Sequence, residues 1–381
     1  MYTLPDYGHM IRDAARTGAY ARALAHRVTP SAVVLDIGAG AGILSLLACR
    51  AGARKVYAVE PDDVIQVARE AAAANGYADR IEFIQSASTG IELPERVDGI
   101  VSDLRGTLPV FRTSLVSLID ARTRFLKPGG WMIPSREALW AAPVSSHAAY
   151  DAVVGAWGAE YGFDLSPARD RVTNEWHKHF LAPGDLIETP RCWATLDYGV
   201  LDTPHVAGEA SWLISRAVEA HGLGLWFDAE LAPGAGFTTA PSSGGRTVYG
   251  HGFWPWPAPV SLSEGDGLSM TLRGEFSGDD YVWRCETRVF DGASGAERIV
   301  YRQSSWRAVP LSAARLRRRA ATFVPDLTTD GRIDRRVLEL MEQRMPLDAI
   351  AQQVAESFPG TIPDIDAALA RVGRLSERYS R

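Results

Sequence analysis

Several features that would settle a protein's class at once are scarce or missing in this sequence. Three cysteines, Cys49, Cys192 and Cys285, are scattered over 381 residues. They have no paired spacing, which excludes a disulfide framework and a zinc knuckle and leaves them as small buried hydrophobes. No apolar run approaches the roughly 18–20 residues of a membrane-spanning helix, and the first residues do not read as a secretory signal. A membrane partner is therefore not expected, and a cytoplasmic location is the default. An excess of positive charge is also lacking: 40 Lys+Arg against 46 Asp+Glu give a formal net charge of -6, which argues against a broad nucleic-acid surface. "WHKHF" carries His177 and His179 with no carboxylate or cysteine to complete a ligand set, so no metal is expected. Internal repeats and low-complexity tracts are absent.

What is present is ordinary for a globular chain, with 46% apolar and 23% charged residues. The length suggests two domains and a small third unit. Residues 1–30 read as helical, with Ile11, Ala15, Tyr20 and Leu24 near helical spacing and Pro30 as the stop. Strand candidates at 32–37, 55–59, 81–85, 98–102 and 130–134 follow, the first three separated by helices at about 42–51 and 62–75. This alternation over 31–135 predicts a parallel, doubly wound, Rossmann-like sheet. "LKPGGWMIPS" marks a change of regime. From 136 to 311, stretches such as "GLGLWFDAEL" and "YVWRCETRVF" alternate like half-buried antiparallel strands, predicting a β-barrel or sandwich. A helical insertion interrupts it at about 150–190. After the basic "ARLRRRAA", residues 312–381 hold amphipathic helices broken at Pro346, a small helical unit.

The stretch "SAVVLDIGAGAGILSLLACRAGARKVYAVEP" carries the chemistry. Gly38, Gly40 and Gly42 sit where the first strand turns into a helix, and glycines there let the backbone approach a ligand closely. Their spacing, G-x-G-x-G, departs from the dinucleotide pattern G-x-G-x-x-G. Asp36 precedes the first glycine, where a pyrophosphate would be repelled. A carboxylate there suits a ligand carrying an ammonium and a sulfonium. Glu60, at the end of the second strand, is placed to accept hydrogen bonds from a ribose diol. Together these favour S-adenosylmethionine over NAD.

With these residues in view, the sequence resembles the protein arginine N-methyltransferases. "VLDIGAGAGILSLLACRAGARKVYAVE" is similar to their cofactor motif, "MIRDAART" to the N-terminal helix, "VDGIVSDL" to the fourth strand and its loop, and "LKPGGWMIPS" to the last strand before the β-domain. "YGFDLS" at 161–166 and "WFDAEL…GFTTAPSS" at 226–243 resemble the β-domain and its dimerisation insertion. The resemblance covers about residues 2–310 and implies a cofactor domain, a β-domain, a homodimer and a peptide, protein or small-molecule methyl acceptor. It implies that Arg16 holds the cofactor carboxylate and that Tyr7, with Tyr2, covers the cofactor. Leu44, Pro61, Ala87 and Ser88 complete the implied cofactor set. The C-terminal unit lies outside the match; it is similar to small winged-helix-like units that hold peptides in bacterial peptide-modifying systems.

The pattern breaks at the acceptor. A guanidinium is protonated at any accessible pH, and the family clamps it with two glutamates and a Thr-His-Trp loop. Here "SDLRGTLPVFR" places Asp103 at the first glutamate and Phe111 or Arg112 at the second. "RTVYGHGFW" keeps Thr247 and Tyr249 with no histidine between them, and His251 follows two residues later. Two acceptors follow. One is an arginine-like or other nitrogen oriented by Asp103. The other is a hydroxyl or carboxylate, with Tyr249 or His251 as base, Arg105 and Arg112 as an anion clamp and Trp254 lining the groove. A degenerate cofactor-binding scaffold is the third reading, which the intact glycine turn opposes.

Overall fold

The computed structural model describes residues 2–158 and 160–380. The chain divides into two compact units, 1–310 and 311–381. Unit one begins with α1 (Leu4–Arg12) and α2 (Ala14–Arg27). The break between them falls at Asp13, whose carboxylate accepts the Arg16 N–H and caps α2.

The parallel sheet contains β1 (Val33–Ile37), β2 (Lys55–Val59), β3 (Ile81–Ile84), β4 (Val97–Ser102) and β5 (Leu126–Ile133) in the order β3-β2-β1-β4-β5. Helices α3 (Ile43–Ala51), α4 (Ile65–Ala74) and α5 (Ser114–Phe125) accompany it. All five β1 residues are buried, as a strand covered on both faces requires, which is why "VVLDI" shows no alternation. The neighbours of β1 lie on opposite sides, β2 in one direction and β4 in the other. That reversal opens a crevice at the carboxyl ends of the strands. The expected doubly wound sheet is the observed one.

The antiparallel region starts directly with β6 (Arg136–Val144). The insertion after it carries α6 (His147–Val154), α7 (Ser166–Val172) and β7 (His177–His179). Then come β8 (Arg191–Asp197), β9 (Val206–Leu213), β10 (Val218–Ala232), β11 (Ala235–Thr238), β12 (His251–Leu262), β13 (Gly267–Ser277), β14 (Asp280–Phe290), β15 (Glu297–Ser304) and α8 (Ser305–Ala308). One sheet runs β7-β12-β10-β6-β8 with β11 on β10, the other β15-β14-β13-β9. The two interlock through aromatic side chains, with Trp193 and Trp283 rings 6.5 Å apart and Trp256 and Tyr301 6.0 Å apart. Among the described residues no strand pairing closes them into a barrel. Trp226, Phe227, Phe253, Trp254 and Trp256 are fully enclosed, so "FWPWP" is core.

Unit two holds α9 (Ala313–Arg319), α10 (Thr329–Glu342), α11 (Leu347–Ser357) and α12 (Ile365–Tyr379). Pro346 separates α10 from α11 as its spacing predicts, and Asp364 caps α12 through the Ala367 N–H at 2.8 Å. Ile333, Val337, Leu340, Ile350, Val354 and Val372 are among the buried residues of its own core. Arg371 ties α12 to Asp330 and Asp334 of α10 at 2.8 and 2.7 Å.

Candidate active site

A cleft of about 490 Å³ opens at the carboxyl ends of β1, β2 and β4. Of the residues singled out in the sequence, Tyr7, Arg16, Gly38, Gly40, Leu44, Glu60, Pro61, Ala87, Ser88, Asp103, Arg105 and Arg112 line it, and Tyr2 joins them.

The glycine turn forms one wall. Gly40 has φ +52°, and a Cβ there would meet the Tyr7 ring at 2.6 Å, so the tyrosine lies directly on the turn. Gly42 starts α3 with φ +87°, where a Cβ would collide with Ala68 of α4 at 2.8 Å. Only glycine satisfies both demands. Glu60, at the end of β2, is fixed by backbone: Oε2 accepts the Gly40 N–H and Oε1 the Asp62 N–H, both at 3.0 Å. Two N–H groups leave lone pairs over for a diol. Burial, then the negative charge of Glu60 and Asp62, pushes the Tyr7 phenol up to about 12.

Asp36 and Gly42 stand behind this wall, away from the cleft lining. Asp36 is fully buried and accepts the Ser45 hydroxyl at 2.6 Å through Oδ2. Its Oδ1 has no hydrogen-bond partner among the described residues. Burial raises its carboxyl to about 7 despite the Ser45 hydrogen bond. An unpartnered buried carboxylate oxygen calls for a cationic or donor neighbour and would repel a pyrophosphate. The residues therefore fit an aminoacyl sulfonium nucleoside better than a dinucleotide.

The opposite wall is the loop after β4. The Asp103 carboxylate receives the Tyr249 hydroxyl at 2.7 and 2.9 Å, the Arg16 Nε at 2.5 Å, the Arg16 Nη2, and Nη1 of Arg105. Burial alone would raise its pKa, but the two guanidiniums outweigh this and hold it near about 2. Arg16 also donates to the Met10 carbonyl at 3.2 Å, anchoring α1 to α2. Arg105 is enclosed. It donates to Glu137 Oε1 at 2.5 Å and to the Tyr20 hydroxyl at 2.6 Å, and its guanidinium lies 5.7 Å from the ring centres of Phe227 and Phe237. Tyr198 donates to the other Glu137 oxygen, and Tyr20 to the Ser102 carbonyl at 2.7 Å.

This geometry corrects several expectations. Tyr249 is no base: burial first, and then the Asp103 charge, raises its phenol well above the ordinary value. It remains a donor. His251 lies on β12 outside the cleft lining. Its Nδ1 accepts the Leu181 N–H at 2.9 Å, and burial lowers its pKa. Trp254 does not line a groove; it is fully buried and donates to the Thr173 carbonyl at 3.2 Å. Arg105 touches the cleft, but ion pairs with Asp103 and Glu137 already occupy it. Arg112 alone of the two suggested clamp arginines keeps its head group free of an ion pair among the described residues.

Sequence reasoning missed Glu137, Tyr198 and Tyr20 as parts of this site. The available signal was Glu137 itself, a carboxylate at an inward position of the otherwise apolar strand "ALWAAPV". Such a group requires a buried cation.

Comparison with known proteins agrees with this fold. The family model of ribosomal protein L11 methyltransferase (PrmA) matches residues 17–136. Among curated relatives, the probable protein arginine N-methyltransferase 6.1 of Oryza sativa subsp. indica is 32% identical over 231 residues, covering 58% of this chain and 61% of its own. The chain thus spans less than two thirds of that relative's length. Protein arginine N-methyltransferase PRMT10 of Arabidopsis thaliana is 30% identical over 298 residues, covering 69% of this chain and 78% of its own. The crystal structure of Arabidopsis thaliana protein arginine methyltransferase 10 superposes with a TM-score of 0.70 at 26% identity, covering 80% of this chain and 98% of that one. The two-part fold is that of one family of methyl-transferring proteins. The chain belongs to the protein arginine N-methyltransferases.

Proposed function

We propose that this chain is a methyltransferase that binds S-adenosylmethionine in the strand-end cleft and methylates a nitrogen of an arginine-like or peptide acceptor. The observation that carries this reading is the Glu60 carboxylate, held at the cleft wall by the N–H groups of Gly40 and Asp62 beside a turn over buried Asp36. When bound, the cofactor supplies a sulfonium-activated methyl group. Glu60 holds its ribose, Asp36 provides the negative charge beneath its cationic end, and Tyr7 covers it. Arg16, whose guanidinium also pairs with Asp103, would take its carboxylate. Asp103, kept ionised by Arg16 and Arg105, would then orient the acceptor, and the Tyr249 hydroxyl would help aim that carboxylate. Methyl transfer would be an in-line displacement at carbon: the C–N bond forms as the sulfonium C–S bond breaks, the neutral thioether leaves, and the acceptor nitrogen gives up its proton to solvent, so positioning provides much of the rate and a strong base is not required.

One observation favours a second acceptor class. Asp103 is already saturated by Arg16, Arg105 and Tyr249, and Arg112 lines the cleft where a second carboxylate would help a guanidinium. A hydroxyl or carboxylate acceptor avoids both conflicts. Mass spectrometry of radiolabelled methyl transfer to free arginine, arginine-rich peptides and acidic peptides decides between them. Label on a guanidinium nitrogen establishes the first reading. Label confined to oxygen establishes the second, and no label with any acceptor, despite measurable cofactor binding, would return the chain to a scaffold.

The proposal includes a cytoplasmic homodimer assembled through the insertion after β6, where Tyr161 is 95% and Phe163 68% exposed. A monomer at micromolar concentration in sedimentation equilibrium would remove this part. Among the described residues no helix is long and apolar enough to cross a membrane.

A further inference from the structure

On the outer face of the four-stranded sheet lies a second cavity of about 680 Å³, separate from the cleft. Its floor is set by strand register. Arg273 of β13 stands directly opposite Arg284 of β14, with Ala207 of β9 and Ser304 of β15 flanking them. Opposed side chains in such a pair lie about 4.5–5.5 Å apart at Cβ, and like charges there are destabilising. The sequence nevertheless places two arginines face to face on an exposed sheet. The neutralising partner is minimal. Glu275 reaches Arg284 at 3.4 Å, while nearby Glu286 is occupied by Arg288 and Arg302 at 2.6 and 2.8 Å. Arg273 and Arg307 make no ion pair among the described residues. Trp306, 65% exposed, also lines the cavity and offers it an apolar surface. This concentration of positive charge stands out in a chain of net charge -6.

The groove also leads to the cleft. Ser277, which lines it, pairs with Asp280 at the tip of the β13–β14 hairpin. Asp280 accepts the backbone N–H of Arg112 at 3.3 Å, and Arg112 lines the cleft. Arg112 has φ 45°, a left-handed conformation that non-glycine residues adopt at some cost. The hairpin tip thus holds the cleft's basic residue next to the end of the basic groove.

We propose that this groove binds an acidic segment of the polypeptide acceptor, flanking the residue presented to the cleft. Naming the occupant an acceptor rests on the methyltransferase reading; the groove's preference for carboxylates does not. Guanidiniums pair bidentately with carboxylates, and an extended chain lying across Arg273 and Arg284 can continue along the β13–β14 hairpin to its tip at Ser277 and Asp280, beside Arg112. A small anion would not use that continuity.

The test is fluorescence anisotropy of a labelled peptide of alternating glutamate and threonine with the full chain. An oligothymidylate of equal charge serves as competitor. The Arg273→Glu/Arg284→Glu double variant is expected to weaken peptide binding on the order of tenfold, and Glu275→Lys to tighten it. Arg216→Glu, an equal charge change elsewhere on the surface, is the control. Equal weakening by the control, or no response to either groove variant, overturns the proposal. Oligothymidylate binding tighter than the peptide, with the same dependence on Arg273 and Arg284, also overturns it in favour of a nucleic-acid partner. Calorimetry of S-adenosylmethionine on the same samples keeps the two readings apart: no cofactor binding sinks the methyltransferase reading while leaving the groove result standing.

Discussion

Along the cleft wall built from β1 and β2, the polar groups are fixed by groups close by in the chain, backbone foremost: the Gly40 and Asp62 N–H groups hold Glu60, and the Ser45 hydroxyl on the first turns of α3 meets Asp36. Along the wall built from the loop after β4, side chains arriving from distant parts of the chain do the fixing. Arg16 comes from α2, Tyr249 from the segment before β12, Glu137 from β6 and Tyr198 from just beyond β8. A backbone-fixed site is encoded within some thirty consecutive residues and tolerates change elsewhere. A site fixed by remote side chains can be rewired by single substitutions, and here the rewiring leaves a carboxylate surrounded by the protein's own cations.

Breaking the second wall carries the largest expected cost. Glu137→Ala would leave the buried Arg16–Asp103–Arg105 cluster with one positive charge in excess, lowering unfolding free energy by about 3–5 kcal/mol in a urea titration; a loss below about 1 kcal/mol would mean the two walls do not differ in this way. Next, Glu60→Ala removes the carboxylate facing the cleft and is expected to weaken S-adenosylmethionine on the order of a hundredfold by calorimetry, with little change in stability.

The pH dependence sharpens the contrast. Asp36 is raised from 3.8 to about 7 in the folded chain, so its proton is held more tightly folded than unfolded. The stability it contributes is complete below the unfolded value and is lost as pH rises toward 7. A bound cation reverses the preference. Cofactor affinity should therefore fall as pH drops below about 7, approaching tenfold per pH unit, and Asp36→Asn should flatten that profile. Asp103, held near about 2, predicts the opposite for its wall: its own titration adds no pH dependence above about pH 4. Smallest of all, truncation after Pro310 should leave cofactor affinity within about twofold, because every residue lining the cleft lies between Tyr2 and Ser117.

The same division explains what could be read from the sequence. Strand and helix periodicity, the change at "LKPGGWMIPS" and the glycine turn are local signals, and the sheets, the two-part architecture and the placement of Glu60 follow from them. The roles of Tyr249 and Trp254 depended on which residues meet across more than a hundred positions of chain. Tyr249 meets Asp103 and Trp254 meets Thr173, and no spacing pattern announces such contacts. Glu137 was legible in part, as an acid in an apolar strand, but its partner was not. Whether the antiparallel strands close depends on pairing between β8 and its neighbours, which alternation alone does not specify.

Asp13 is a mechanical part as well as a helix cap. One of its oxygens caps α2 and the other accepts the Val248 N–H at 2.9 Å, in the segment that carries Tyr249. The helix that supplies Arg16 and the loop that supplies Tyr249 are thus pinned to the same side chain, three residues before Arg16 on the helix and one before Tyr249 on the loop. They can travel only as a linked pair, like two leaves on a common hinge pin. The distance between spin labels on α2 and on the 240–246 loop should therefore stay constant on ligand binding, and Asp13→Ala should let it change.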